Sequence, residues 1–171
     1  MYGINGRYHN CEIGHAYEYW RSKAGDAGIP ARADIDPIEM WSWIPATLLA
    51  EAIFDDHGAP ADFFFRVAGS RVCERYGREL THRHLSEIPM QEQRDSVLAN
   101  YRAVIDTQRA FYSINRFFDT DGILRSFEML LLPLRAHGSR CDMLLGVVMP
   151  LPRDYDAPEG VWIYEAGPEL A

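Results

Sequence analysis

The segment from Phe111 to Phe117 alternates side chains in a way that could form a small-molecule site. Ser113 and Asn115 are two residues apart, with Phe111 and Phe117 two residues further out on either side. Residues two apart in a strand share one face of the sheet. One face would therefore carry two hydrogen-bonding groups between two aromatic rings, the mixture that small-molecule pockets use. We expect this face to contact a small apolar or mixed ligand.

Histidines and carboxylates between residues 79 and 87 raise the question of a metal site. His82 and His84 are separated by one residue, and Glu79 and Glu87 lie on either side of them. Two imidazoles and a carboxylate can ligate zinc, but neutral loop histidines are far commoner than ligands, and we predict no metal. Serine, histidine and aspartate occur in no nucleophile-elbow context, and there is no glycine-rich phosphate loop. We therefore expect no catalytic residues.

Two arginines, Arg66 and Arg116, lie in the middle of predicted strands. A buried arginine needs a partner, because an isolated buried charge is costly. Either residue could bind an anionic ligand. Either could instead pair with Glu51 or Glu128 on a neighbouring strand, and this pairing is the interpretation that we prefer.

Composition restricts the class of protein. The chain has 171 residues, 47% of them hydrophobic, enough for one packed core but cramped for two. A formal charge of -8 and a pI near 5.2 oppose sequence-independent binding to nucleic acid or to an anionic membrane. The sequence has no run of about 18 apolar residues and a polar start, so we expect neither a transmembrane helix nor a signal peptide. Three widely spaced cysteines, Cys11, Cys73 and Cys141, favour a reducing cytoplasm over a disulfide framework.

Residues 11–24 are predicted to form an amphipathic helix. Ile13, Tyr17 and Trp20 follow one another at spacings of 4 and 3, which places them on one helical face. These three side chains are too apolar to remain exposed together, and an antiparallel sheet has an outer face to cover. The helix would cover its own sheet, a partner's sheet, or both. We predict a homodimer in which these three residues take part.

The rest of the chain is predicted to contain shorter elements and a tail. A short helix is expected after Asp36-Pro37, with Met40, Trp41 and Ile44 on its buried side. The other predicted elements are a helix over 91–107 and strands over 47–54, 62–68, 110–119, 124–135 and 141–150. We divide the chain into an N-terminal helix and linker (1–29), a domain (30–150) and a Pro/Gly/acidic tail (151–171) with little fixed structure apart from 161–164.

The order of these elements predicts an α+β fold. Five antiparallel strands, with helices inserted between the second and the third, make a sheet whose helices cover one face. The fifth strand must pair with a strand that is distant in sequence. Pairing with the first strand would close the sheet compactly.

Three ordered motifs resemble a known family. They are WR (20–21) followed by PARADIDP (30–37), then RVAGSRVC (66–73) with GRELT (77–81), and finally FEMLLLPL (127–134). Together they resemble the single-domain PAS proteins common in alphaproteobacteria, over roughly residues 16–150. The resemblance implies a five-stranded PAS sheet and a sensory role. His82 stands where that family usually has glycine, so a left-handed backbone there would be less comfortable.

The resemblance also implies where a ligand would bind. In a PAS fold the second strand feeds short helices that arch over the sheet, and the space beneath them is the pocket. Gly69 would let the backbone turn into the first of these helices, and Gly77 would end it. The candidate pocket residues are Phe65, Val72, Cys73, Tyr76, Tyr101, Ser113, Asn115, Phe117 and Met129.

Two cofactors known from this fold, haem and flavin, are not expected here. Some PAS sensors hold haem through a histidine on the long helix, but residues 91–107 contain none, which leaves His82 and His84 as the nearby substitutes. Light-sensing relatives link flavin to a cysteine in a motif with Asn and Gln. Cys73 lies on the wrong side of the loop for that motif and lacks those neighbours.

The leading interpretation is a non-enzymatic sensory or protein-interaction module that binds a small ligand. Because the chain shows no kinase, cyclase or DNA-binding region, we expect its output to pass through a partner protein in the cytoplasm. One alternative is a small α+β cone-fold enzyme, an isomerase or hydrolase, with an aspartate-histidine pair in the same cavity. Another is a structural adaptor whose own side chains fill the cavity.

Overall fold

The computed structural model describes residues 8–25, 28–88, 91–118, 124–152 and 160–164 of the chain. The helices are α1 (Cys11–Ala24), α2 (Ser70–Tyr76) and α3 (Gln91–Thr107). The strands are β1 (Thr47–Phe54), β2 (Pro60–Ala68), β3 (Ala110–Phe118), β4 (Leu124–Leu134), β5 (Met143–Pro150) and β6 (Gly160–Tyr164). Within this described part, no helix is both long and apolar enough to cross a lipid bilayer.

The strands form one antiparallel sheet in the order β2-β1-β5-β4-β3-β6. Strand β5 pairs with β1, with Thr47 opposite Val147, so the long-range closure predicted from the sequence is confirmed. The five predicted strands begin and end within two residues of their expected bounds. A sixth strand, β6, adds to the outer edge of β3, with Tyr112 opposite Trp162. It comes from the apolar patch in the predicted tail.

Both faces of the sheet are buried at its central strands β4 and β5, which explains the continuous apolar run over residues 129–134 of β4. Leu130 and Leu132 lie on the face covered by α1, whereas Met129 and Leu131 lie on the face covered by α2 and α3. Successive residues of a strand point to opposite sides, so a strand buried on both faces needs apolar residues at nearly every position. The sheet therefore separates an α1 core from an α3 core.

Helix α1 covers the sheet of its own chain. Ile13, Tyr17 and Trp20 are 0%, 2% and 0% exposed, and Trp20 Nε1 donates a 2.8 Å hydrogen bond to the carbonyl of Pro133. The sequence placed these three residues at a dimer interface. The structure instead places them in the α1 core, because the apolar outer face of β4 and β5 needs the same cover. Their apolar character therefore gives no argument for a dimer.

A buried carboxylate fixes the start of α1. Glu128 of β4 is 0% exposed, and its oxygens accept hydrogen bonds from the main-chain N–H groups of His9 and Asn10 and from Asn10 Nδ2. The hydroxyl of Tyr112 donates a further bond at 2.7 Å. Buried carboxylates are tolerated when their oxygens are hydrogen-bonded in this way. Glu128 thus ties β3 and β4 to the residues that lead into α1.

The other strand glutamate considered from the sequence, Glu51, pairs with an arginine as predicted. Arg66 Nε donates to Glu51 Oε2 at 2.5 Å, across the β1–β2 pairing. The Arg66 side chain is half exposed, so this is a surface ion pair, a class that contributes little to stability. Arg66 is therefore not a candidate for binding a ligand inside the protein.

The segment after Asp36 forms turns and a short 3-10 helix (Ile44–Ala46) rather than the predicted α-helix. Most of its main-chain bonds, such as that from Met40 N–H to the Pro37 carbonyl, span three residues, so its side chains repeat with a period near three. Met40 and Trp43 are therefore 4% and 3% exposed, whereas Trp41 is 77% exposed. Ile44 is also exposed, at 37%. Placing Trp41 and Ile44 on the buried side was therefore wrong, because the α-helical period was assumed.

The turn from β2 into α2 requires glycine for space rather than for conformation. Gly69 has φ -68° and ψ 159°, which any residue can adopt. A Cβ at this position, however, would lie 2.3 Å from the carbonyl oxygen of Pro45. The conformational role predicted for Gly69 is therefore wrong. Gly77 does end α2 in the left-handed region, with φ 66°.

After α2 the chain runs back along β2. His82 N–H donates to the Phe65 carbonyl at 2.7 Å, and Phe65 N–H donates to the Arg83 carbonyl at 2.9 Å. His82 has φ 61°, so this residue adopts the left-handed conformation that was expected to be uncomfortable without glycine. Its ring stacks on Phe64, with centroids 6.2 Å apart. Residues 82–83 are therefore held to β2 by long-range main-chain hydrogen bonds.

Candidate functional site

A cavity of about 230 Å³ lies on the α3-core side of the sheet, beneath helices α2 and α3. Both helices contribute side chains to its walls, and β1, β3, β4 and β5 form its floor. This is the region where the resemblance implied a pocket. The described lining residues are Leu48, Arg75, Tyr76, Ser96, Val97, Asn100, Tyr101, Asn115, Arg116, Phe127, Met129 and Val148.

Aromatic and apolar side chains make up most of this lining. Phe127 and Met129 are two residues apart on β4 and belong to the α3 core. Tyr101 is 1% exposed and meets the ring of Phe63 edge to face, with centroids 5.1 Å apart. Burial raises the pKa of Tyr101 well above its ordinary value and also raises the pKa of Tyr76. Both phenols therefore stay neutral near pH 7 and can donate or accept a hydrogen bond.

Arg75 brings a positive charge to the cavity from α2. Its guanidinium carbon lies 3.1 Å from the centroid of the Phe127 ring and 5.6 Å from that of Tyr76, a cation–π arrangement. Burial lowers the pKa of Arg75 to about 10, so the group remains protonated at neutral pH. The described lining residues include no Asp, Glu or His. The charged side chain that the described lining presents to the cavity is therefore a cation.

Asn115 and Arg116 border the cavity from β3 in different ways. Asn115 lies opposite Phe127 in the β3–β4 register, and its Nδ2 donates to Ser113 Oγ at 2.7 Å. Arg116 is also among the lining residues, but it follows Asn115 in a regular strand, where successive side chains point to opposite faces. The side chain of β3 that is directed to the cavity side of the sheet is therefore that of Asn115.

Four of the residues predicted for the pocket line this cavity, namely Tyr76, Tyr101, Asn115 and Met129. Each comes from a different element: α2, α3, β3 and β4 respectively. The predicted helical and strand faces therefore agree with the structure at one position in each of these elements. For Asn115 the prediction followed from strand alternation, which depends on neighbouring residues alone, whereas Tyr76, Tyr101 and Met129 were proposed from the family resemblance.

The other predicted pocket residues lie elsewhere. Phe65 and Val72 are each 1% exposed and pack inside the α3 core, and Cys73 packs against that core. Phe65 belongs to β2, at the edge of the sheet, whereas the cavity floor is formed by four adjacent strands in the order β1-β5-β4-β3. Ser113 is 0% exposed and accepts the hydrogen bond from Asn115. Phe117 falls outside the residues whose side chains the structure describes.

Several lining residues were missed, and some could have been found. Arg75 lies three residues after Val72, and Phe127 lies two residues before Met129, so the same spacing rules reach both. Arg75 is not part of the predicted pocket because the helical periodicity of this segment was defined by its apolar side chains. Leu48 could not be found in this way, because its place in the cavity depends on the pairing of β1 with β5.

Cys73 is not an activated nucleophile. Its thiol lies 3.3 Å from Glu79 Oε1, and burial together with this carboxylate raises the pKa of Cys73. The thiol therefore stays protonated at neutral pH, when the thiolate is the reactive form. Hydrogen bonds from Thr81 lower the pKa of Glu79 to about 2. The pair fixes the loop that follows α2.

The histidines considered as metal ligands make other contacts. His82 stacks on Phe64, and His84 Nδ1 lies 3.5 Å from Asp62 Oδ2. Neither residue is among the described lining of the cavity. Across the described ranges, no group of three or more His, Cys, Asp or Glu side chains is arranged to hold a metal ion.

Comparison with known proteins gives a family and a fold. A PAS domain family matches residues 10–149 of the chain, whereas no match was found among curated proteins. Similar solved structures include the VqmA dimer of Vibrio cholerae, with a TM-score of 0.52 and 15% identity over 68% of this chain and 50% of that chain. VqmA bound to DPO also has a TM-score of 0.52 and 15% identity, over 68% of this chain and 56% of that chain. The chain thus spans about half the length of these VqmA chains, and the likeness concerns the fold alone.

Proposed function

The chain belongs to the PAS domain family, and we propose that it is a non-enzymatic sensory module that binds a small molecule in the cavity beneath α2 and α3. A PAS fold supports a sensory or regulatory role in general. The proposal adds a place for the ligand and a route for its effect. Ligand contacts with α2 and α3 would shift the population of their conformations, and a partner protein would read the change.

The observation that carries this proposal is the mixed lining of the cavity. Rings from Tyr76, Tyr101 and Phe127 supply apolar contact, while Asn100 and Arg75 supply hydrogen-bond donors. Small-molecule sites combine a mostly apolar wall with a few polar groups that set orientation. The polar groups come from the two helices, so a ligand that binds them would couple the helices to the sheet.

Two other functions were considered from the sequence, and the cavity favours neither. A general acid or base needs a pKa close to the working pH, but the described lining has no Asp, Glu or His, and burial raises the pKa of both of its tyrosines. A purely structural adaptor would fill the space with its own side chains. The side chains instead leave a cavity of about 230 Å³ unfilled, which is larger than one water needs.

The proposal can be tested by changing the cavity wall and measuring binding of the fluorescent dye ANS. Tyr76→Ala removes one aromatic contact worth about 1 kcal/mol and should weaken dye binding by about fivefold. Glu74→Ala is the matched control, because Glu74 is exposed on the same helix. Equal effects of the two changes would contradict a ligand site in this cavity. Mass spectrometry of an extract from the natively folded protein would identify any compound that is already bound.

A homodimer remains part of the proposal, although α1 does not support it. Ile38 and Trp41 are 79% and 77% exposed and lie in the same turn segment, and exposed apolar groups of this size are common at protein interfaces. VqmA of Vibrio cholerae is a dimer. Trp41→Ser should lower the mass measured by light scattering toward that of a monomer. Ile53→Ser, at an apolar residue that is 37% exposed elsewhere, should leave it unchanged; a mass unaffected by Trp41→Ser would rule out this surface.

The proposed partner is a protein rather than a nucleic acid. A VqmA structure contains a ligand and DNA together, but this chain spans about half of that chain. The formal charge of -8 opposes binding to a polyanion that depends on lysine and arginine contacts. Three free cysteines fit a reducing compartment such as the cytoplasm, which we propose as the place where it acts.

A further inference from the structure

We infer that the cavity binds a small organic anion, a monocarboxylate with an apolar body, through the guanidinium of Arg75. This inference rests on the proposed ligand-binding function and adds the chemical class of the ligand. A permanently charged cation lies at the wall of a largely apolar cavity, and the described lining includes no acidic side chain. Charge complementarity therefore selects an anion, and the apolar floor selects an organic one.

The guanidinium of Arg75 is held in a position that suits a carboxylate. Its guanidinium carbon lies over the Phe127 ring, 3.1 Å from the ring centroid. A carboxylate binds a guanidinium through the N–H groups at its edge, often two at a time. Stacking and carboxylate binding are therefore compatible. Stacking also restricts the side chain beforehand, which reduces the entropy lost on binding.

The local electrostatics favour the same ligand. Burial lowers the pKa of Arg75 to about 10, which means that the cation is less well stabilised here than in water. A carboxylate beside it would favour the charged form and so add to its stabilisation. The negative formal charge of the whole chain does not prevent this, because charges beyond about 8 Å are largely screened at physiological ionic strength.

The size of the cavity limits the body of the ligand. An apolar cavity of about 150 Å³ accepts benzene, and this one has about 230 Å³. The space therefore fits one ring or a short chain with a single carboxylate. Phe127 and Met129 would contact the apolar body of the ligand. Ser96 and Asn100 of α3 belong to the same lining, and either could form a hydrogen bond with a carboxylate oxygen of the ligand.

Calorimetric titration of the full chain with phenylacetate and with phenylacetamide tests the inference without any mutation. The two probes have nearly the same shape and differ in charge at pH 7. Phenylacetate should bind at least about tenfold more tightly, because a hydrogen bond to a charged group is roughly that much stronger. Hexanoate and hexanamide repeat the comparison with an aliphatic body.

Variants then assign the effect to Arg75. Arg75→Gln should weaken binding of phenylacetate by about tenfold or more and leave phenylacetamide within about twofold, while Arg75→Lys should give an intermediate loss. Arg71→Gln, at an exposed arginine one turn earlier on α2, should have little effect. Thermal melts check that each variant is folded.

Each contrary result has a distinct meaning. Equal binding of phenylacetate and phenylacetamide would overturn the anion inference and leave a ligand site in place. Equal losses in Arg71→Gln and Arg75→Gln would also overturn it, because surface charge would then explain the preference. Failure of every probe to bind would overturn the inference as well, and the dye comparison of Tyr76→Ala with Glu74→Ala would decide separately whether the cavity binds ligands at all.

Discussion

Replacing Glu128 by alanine should destabilise the protein by about 3 to 5 kcal/mol and loosen the start of helix α1. Its two oxygens accept hydrogen bonds from two main-chain N–H groups, from Asn10 Nδ2 and from the Tyr112 hydroxyl. A hydrogen bond to a charged acceptor contributes about 1.5 to 3 kcal/mol. The donors of His9 and Asn10 are only partly buried and can turn to water, whereas the Tyr112 hydroxyl is buried and would lose its partner. The expected total therefore lies below the sum of four such bonds, in the range seen when one member of a buried pair is removed.

Urea unfolding followed by circular dichroism and tryptophan fluorescence would measure this loss. A lower dependence of the unfolding free energy on urea would indicate that α1 separates before the rest of the protein unfolds. Tyr112→Phe should cost about 1 to 1.5 kcal/mol in the wild-type protein. It should cost almost nothing when Glu128 is already alanine, so the double-mutant cycle should show a coupling energy near 1 kcal/mol.

The matched control is another glutamate in the middle of a strand. Glu51→Ala removes the partner of the half-exposed Arg66 and should cost less than about 1 kcal/mol. If Glu128→Ala cost no more than Glu51→Ala, the buried network would not stabilise the protein. If Tyr112→Phe cost the same in both backgrounds, the contact between Tyr112 and Glu128 would have no energetic role.

Further changes test the segment that follows β2, from Gly69 through α2 to His82. Gly69→Ala should destabilise the protein by about 2 to 3 kcal/mol in urea melts, because its methyl group would overlap a carbonyl oxygen; a cost below about 0.5 kcal/mol would show that the backbone yields. His82→Gly should be about 1 kcal/mol more stable than His82→Ala, because glycine relieves the left-handed conformation, and the reverse order would contradict this. The stability that the Glu79 carboxylate contributes should be present above its ordinary pKa of 4.5 and lost as pH falls toward its folded-state pKa of about 2. Glu79→Gln should therefore reduce the change in unfolding free energy between these pH values. If that change stayed the same, the hydrogen bonds from Thr81 would not stabilise the carboxylate. The amides of α2 should exchange with solvent faster than those of β4, and their exchange should slow most when a ligand binds. Residues 82–83 should exchange slowly because their main chain is hydrogen-bonded to β2. Uniform protection with no change on ligand binding would favour a rigid adaptor.

Local spacing was sufficient to predict the regular elements. The predicted bounds of the helices over 11–24 and 91–107 and of the strand over 47–54 agree with those of α1, α3 and β1. Helical and strand periods are properties of adjacent residues, so they can be read without knowledge of the rest of the fold. The family resemblance proposed Tyr76 and Tyr101 as pocket residues, and both are among the described lining of the cavity.

Predictions from local spacing were wrong where the chain did not keep the α-helical period, and where a residue type was required by a close contact rather than by its backbone conformation. Three-residue turns after Asp36 buried Trp43 instead of Trp41, because the α-helical period did not apply. Gly69 was read as a flexible turn residue, but it is needed because Pro45 passes close to it. Pro45 is 24 residues earlier in the sequence, so no local pattern could reveal the contact.

The sequence by itself determined α1, α3, the strands β1 to β5 and the family motifs, because these depend on neighbouring residues. Only the tertiary structure decided which buried surfaces meet. It placed Ile13, Tyr17 and Trp20 against the sheet of their own chain rather than at a dimer interface, and it brought Arg75 onto Phe127 at the cavity wall. Such contacts join residues tens of positions apart, and their choice depends on the free energy of the whole packed chain rather than on the spacing of any one segment.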